Sequence, residues 1–224
     1  MHLVRKRVCS PDQENIKRLY DKYFSKNYDQ HMRATNHYVT MQKIMRQLRS
    51  YFNGRILDPT CGTGEALKML LDMFGADARL LIGNDFSDGM LAHARIKLRN
   101  SGTLLTTFDA EDVRLASATI GTVFCSYTFH WFTDKERVAQ EFRRVLVPEG
   151  TLISLEEFPL LINGSKHMPR DVKKMIANTV GKTKLNGLDE LIRIFRSTGL
   201  VFVDLVIEKI DDNHDMYGLV FKRV

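Results

Sequence analysis

RILDPTCGTGEALKML, residues 55–70, carries the strongest signal in the chain. An apolar, β-prone triplet runs into Asp58. A loop of small residues follows through Gly64, and a helix-forming run begins at once. A core alone needs neither the terminal carboxylate nor the glycines. Gly62 and Gly64 let backbone approach a ligand where a side chain would block it. The N–H groups opening the next helix favour an anionic group, whereas Asp58 suits an ammonium. A site holding both charges fits an amino-acid zwitterion better than a pyrophosphate.

Outward from this stretch, strand and helix patterns alternate. ARLLIGND, TLLTTFD, IGTVFCSYTF and GTLISLEEF read as strands. SDGMLAHARIKLRNSG reads as a helix with Ser87 as N-cap and an end near Gly102. DKERVAQEFRRVL reads as another, capped by Thr133 or Asp134. Two helices precede the first strand, over 12–34 and 36–51, the second with Val39, Ile44, Met45 and Leu48 as apolar points. LDELIRIFRSTGL is a last helix. VFVDLVIEKI and YGLVFKRV are final strands, joined by a short polar run that predicts an antiparallel hairpin. The expectation is an α/β, Rossmann-like, seven-stranded, mostly parallel sheet with helices on both faces and a C-terminal hairpin. It forms one domain over 1–224, with lid helices in 1–52, a core in 53–158, a short cap in 159–187 that holds one helical segment near 170–178, and the C-terminal helix and hairpin in 188–224.

In such a sheet, ligands bind at the carboxyl ends of the strands. Three acids stand there: Asp58, then Asp85, then Asp109. Asp85 is placed to accept from both hydroxyls of a ribose. Asp109 is placed to accept from an exocyclic amine such as that of adenine. Taken singly, each acid reads as a helix cap or loop residue. Taken together behind the glycine loop, they describe amino acid, ribose and adenine, which is S-adenosylmethionine.

The span from Arg55 to Phe158 resembles the class I S-adenosylmethionine-dependent methyltransferases. ILDPTCGTG is similar to their strand-and-loop motif, IGNDFSDGMLAHAR to their second-strand motif, FDAEDV to the Asp-Ala-Glu after their third strand, and EFRRVLVPEGTLISLE to their helix, turn and fifth strand. YDKYFSKNYDQHM resembles the helix that covers the cofactor in many members. The resemblance implies that Asp58, Thr60, Cys61, Gly62 and Gly64 hold the methionine part. It implies that Asp85 holds the ribose, Phe86 packs on the adenine, Asp109 and the backbone of Ala110 read its edge, and Ser126 borders the sulfonium. It also implies Tyr28 and Trp131 as walls of an acceptor site, with His130 as a base or an orienting group. FHWF is similar to small-molecule O-methyltransferases acting on carboxylic acids; structural packing of His130 and Trp131 is the competing reading. Thr60 stands where members carry glycine. Asp-Pro-Thr-Cys resembles enzymes methylating nucleic-acid amino groups, but CSYTFHWF lacks their proline motif after the fourth strand. Thr122 replaces an acid at the start of that strand, a change confined to local packing.

The remaining features bound the alternatives. Residues 1–55 hold 12 Lys+Arg against 4 Asp+Glu, a net of +8, whereas the rest of the chain is slightly acidic. These cations are dispersed, which reads as solvated helix face more readily than as a phosphate-binding block. An RNA or protein methyltransferase, or a non-catalytic cofactor-binding subunit, stays open beside the small-molecule reading. A dinucleotide dehydrogenase is weakest, because Asp58 precedes the loop. Cys9, Cys61 and Cys125 are far apart, and no metal-ligand spacing occurs. That pattern, with no apolar signal core and no membrane-length run, predicts a cytoplasmic protein without a metal. Oligomeric state has no signature in the sequence.

Overall fold

The computed structural model describes residues 11–158 and 187–224. The expected cap over 159–187 lies, except for Gly187, outside the described residues. The strands are β1 (Ile56–Asp58), β2 (Leu81–Asn84), β3 (Leu104–Thr106), β4 (Ile120–Ser126), β5 (Leu146–Phe158), β6 (Leu200–Lys209) and β7 (Asp215–Arg223). They form one sheet in the order β3-β2-β1-β4-β5-β7-β6. The first five are parallel, and β7 runs antiparallel to both β5 and β6. The chain moves outward from β1 to β3, then returns to place β4 beside β1. Strand order therefore reverses between β1 and β4, and a crevice opens at their carboxyl ends.

Successive side chains of a strand face opposite sides of the sheet, so each central strand feeds two cores. Val123 and Cys125 pack with Leu152, Leu219 and Phe221 on one face. Phe124 packs with Ile153, Leu155 and Val220 on the other. The first face is covered by α6 (Lys135–Val145) and α7 (Leu188–Ser197). Val138, Phe142 and Val145 recur at helical spacing and are buried. The second face is covered by α3 (His37–Gln47), α4 (Glu65–Phe74) and α5 (Asp88–Lys97). Ser87 caps α5, its Oγ accepting from Met90 N–H at 3.2 Å. Asp134, rather than Thr133, caps α6 by accepting from Arg137 N–H at 2.9 Å.

Several boundaries differ from expectation. The first helical stretch is broken into α1 (Pro11–Leu19), a π-helical turn (Tyr20–Phe24) and α2 (Tyr28–Ala34). In the wide turn Ser25 N–H reaches back to Tyr20 C=O at 2.9 Å. The second helix ends at Gln47 instead of 51, and a 3₁₀ turn follows over Arg49–Tyr51. Val39 is 53 % exposed, because the inward stripe is Tyr38, Met41, Ile44 and Met45. α5 stops at Lys97, before Gly102. Thr122 accepts from Asn53 N–H at 2.9 Å, anchoring the turn before β1.

Candidate active site

A cavity sits over the carboxyl ends of β1, β2 and β4, roofed by the N-terminal segment. Asp58, which ends β1 just before the lining residues Pro59 and Thr60, is 1 % exposed. Its Oδ1 accepts from Thr60 N–H at 3.2 Å, while its Oδ2 is buried with no hydrogen-bond partner. Burial pushes its pKa up to about 8, only partly opposed by the Thr60 N–H. Gly62 lies in the left-handed region at φ 53°, which turns its N–H onto Asp85 Oδ2 at 2.9 Å. Ser87 N–H reaches the other oxygen of Asp85 at 2.8 Å. Burial still pushes Asp85 up to about 6 against these two bonds. A carboxylate has about four acceptor positions, so this one retains capacity for a diol. Buried Asn84 ties the loops together: its Nδ2 donates to Pro59 C=O at 2.8 Å and Phe108 C=O at 2.9 Å, and its Oδ1 accepts from Phe108 N–H at 2.8 Å.

At the far end stand Phe86, Phe108, Ala110, Trp131 and Phe132, a slot for a flat apolar ring. Asp109 accepts from Glu111 N–H at 2.9 Å and from Gln13 Nε2 of α1 at 3.0 Å.

The roof carries two Tyr-Asp pairs that divide their labour. Tyr20 and Tyr28 line the cavity, and burial holds both phenols above their ordinary pKa, hence neutral. Asp21 and Asp29 are latches. Asp21 Oδ1 accepts from Ser87 Oγ at 2.6 Å and Gly89 N–H at 3.0 Å, at the start of α5. Asp29 Oδ1 accepts from Tyr38 OH at 2.7 Å and from the Thr63 hydroxyl, and its Oδ2 accepts from Lys97 Nζ at 2.7 Å. Lys97 also reaches Glu65 at 2.5 Å.

Of the residues expected from sequence, Tyr28, Thr60, Cys61, Gly62, Asp85, Phe86, Asp109, Ala110, Ser126 and Trp131 line the cavity. Asp58, Gly64 and His130 are not on its wall. Gly64 serves the fold: φ is 80°, and a Cβ there would meet Leu98 Cδ1 at 3.0 Å. Cys61 and Cys125 are buried free thiols whose pKa burial pushes well up, which suits packing rather than nucleophilic use. His130 packs against Trp131, ring centroids 5.3 Å apart, with Nδ1 3.2 Å from Glu156 Oε2. The neighbouring Glu157 pairs with His37 Nε2 at 3.2 Å. Sequence reasoning missed Gln13, Asp21, Asp29, Asn84, Lys97 and Glu156. The double acid closing β5 was a visible signal for the last; the others depend on contacts distant in sequence.

Residues 57–154 match the family described as "Methyltransferase domain". The chain is 30 % identical over 139 residues to a malonyl-[acyl-carrier protein] O-methyltransferase of Acetivibrio thermocellus, covering 61 % of this chain and 48 % of that protein. It is 36 % identical over 107 residues to a demethylmenaquinone methyltransferase of Thermus thermophilus, 47 % of each. The chain spans about half the length of these curated relatives. Among solved structures, it superposes with TM-score 0.71 at 17 % identity on a complex between the Haloferax volcanii Trm112 methyltransferase activator and a putative methyltransferase, covering 91 % of this chain and 97 % of that one. It superposes with TM-score 0.70 at 13 % identity on geranyl diphosphate C-methyltransferase from Streptomyces coelicolor, solved with S-adenosyl-L-homocysteine, covering 97 % and 100 %. The match places a methyltransferase domain over residues 57–154, and the fold is that of S-adenosylmethionine-dependent methyltransferases of known structure. No described helix is long and apolar enough to cross a membrane.

Proposed function

We propose that this chain transfers the methyl group of S-adenosylmethionine to a small organic acceptor. One observation carries the reading: a buried carboxylate, Asp58, keeps Oδ2 without a partner at the head of the loop whose residues Pro59 to Thr63 line the cavity. An unpaired buried acceptor is costly, and the ammonium of an amino-acid ligand would satisfy it. Asp85 would hold the ribose hydroxyls, Asp109 and the Ala110 backbone the adenine edge, and Phe86 a face of the ring. Thr60, Cys61 and Gly62 would border the methionine chain, with Ser126 near the sulfonium.

When bound, the sulfonium supplies a methyl group on an activated leaving group. The protein's share is then alignment and exclusion of water. Tyr28 and Trp131 wall the cavity, and the roof over it is latched by Asp21 and Asp29. The names of the two relatives, one an O-methyltransferase and one acting on demethylmenaquinone, support a small-molecule acceptor. A cytoplasmic location belongs to the same reading, supported by two buried free thiols.

The test is transfer of label from methyl-labelled S-adenosylmethionine into an extract of the source organism. Label in a low-molecular-mass fraction is expected. Label confined to RNA or protein would reject the acceptor class, and no cofactor binding would reject the reading.

A further inference from the structure

The end of β5 carries two consecutive carboxylates, each paired with a histidine, and the two pairs have opposite polarity. Glu157 accepts from His37, whose other ring nitrogen is also engaged, 2.8 Å from Thr35 Oγ1 and 3.0 Å from Thr35 C=O. His37 therefore has no nitrogen to spare. Glu156 is the reverse case. It is fully buried, with Oε1 taken by Phe129 N–H at 3.0 Å and Oε2 3.2 Å from His130 Nδ1. Among the described residues His130 Nε2 has no partner, and its side chain is 13 % exposed and packs against Trp131, which lines the cavity.

A carboxylate fixed beside Nδ1 selects the tautomer with the proton on Nδ1 and leaves the lone pair on Nε2. That arrangement makes a proton acceptor of His130 and of no other histidine in this cluster. Resting on the function proposed above, we infer that Glu156 is a positioning residue that arms His130 as a general base. The acceptor is then a group carrying a removable proton, a hydroxyl, an amine or an acidic C–H. A carboxylate, already anionic at neutral pH, needs no base, so this inference departs from the carboxylic-acid resemblance of FHWF.

The step balances. His130 Nε2 takes the acceptor's proton, and the electron pair left on the acceptor atom forms the bond to the methyl carbon. The carbon–sulfur pair stays on sulfur, giving a neutral thioether. The imidazolium then releases its proton to water.

Glu156→Gln is the informative variant. Glutamine keeps an oxygen for Phe129 N–H but turns an amide N–H₂ toward His130. Nδ1 must then accept, and the proton moves to Nε2. Nitrogen NMR of the full chain, under alkaline conditions where imidazole is neutral, reads this directly, with His130→Gln assigning the resonance. The expected result is Nδ1–H in the wild type and Nε2–H in Glu156→Gln. Labelled transfer into extract should fall ~100-fold or more in both variants, with cofactor affinity by calorimetry unchanged. The labelled product should resist mild alkali. Nε2–H in the wild type, undiminished transfer by Glu156→Gln, or release of the label as methanol from an ester would overturn the inference. Loss of cofactor binding in the wild type would instead reject the underlying function, while the tautomer would still decide the dyad.

Discussion

Lys97 Nζ of α5 stands 2.7 Å from Asp29 Oδ2 of α2, tying the roof of the cavity to the helix beside the glycine loop. The same ammonium is 3.1 Å from the Thr63 hydroxyl and 2.5 Å from Glu65, so one cation joins the roof, the loop and the start of α4. Lys97 is mostly buried, its side chain 14 % exposed, which spares the pair much of the solvent screening that weakens surface bridges.

Replacing Lys97 by Met should therefore speed cofactor release and loosen the roof without disturbing the sheet. A double-mutant cycle with Asp29→Asn should give a coupling of about 0.5–3 kcal/mol in cofactor affinity. Burial raises the Asp29 pKa, but bonds from Lys97, Thr63 and Tyr38 outweigh it and leave it lowered. A depressed carboxylate stabilises above its unfolded pKa of about 3.9 and loses that contribution as pH falls through the folded value. The latch should thus fail only in acid. Additive mutants would show that the pair does not hold the roof.

Asp58 titrates with the opposite sign. Its folded pKa, about 8, lies above the unfolded value. Its contribution to stability is present in acid and is lost as pH rises towards 8. A bound ammonium favours the ionised form and should expel the proton. Calorimetry near neutral pH, in buffers of different ionisation enthalpy, should detect proton release on S-adenosylmethionine binding. Asp58→Asn should abolish that release and weaken binding. Release of equal size in the variant would assign it to another group.

Gly64→Ala should destabilise the fold by about 1–2 kcal/mol, the order of the left-handed penalty for a residue with a Cβ, because φ is 80° and the new methyl meets Leu98 and Ala94 of α5. A lowered urea midpoint with unchanged m-value would report it. Since Gly64 does not line the cavity, cofactor affinity of the folded fraction should change little. A variant as stable as the wild type would contradict the packing role.

The sheet was legible because β1, β2 and β4 are apolar runs that each end on a polar residue before a helix pattern. Asp58 and Asp85 could be placed from that alone, and Asp109 from the shorter run that becomes β3. The latches were not legible: Asp21 meets Ser87 66 positions away, and Asp29 meets Lys97 68 away. The sequence shows Tyr-Asp twice but not that tyrosine faces the cavity while aspartate holds a helix. The π-helical turn at Tyr20 was hidden for a related reason. Its apolar spacing resembles an ordinary helix, and its geometry is accompanied by tertiary bonds to α5. His130 was named from its place after β4. Its hydrogen-bond partner, Glu156, lies 26 residues on.

The most direct measurement is titration calorimetry of the purified chain with S-adenosylmethionine, with NAD, and with the Asp85→Ala variant. Binding of S-adenosylmethionine but not NAD is expected, with affinity lost by about 1.5–3 kcal/mol in Asp85→Ala, the range for hydrogen bonds to a charged group. Binding of NAD in its place, or unchanged affinity in the variant, would contradict the assignment of this cavity.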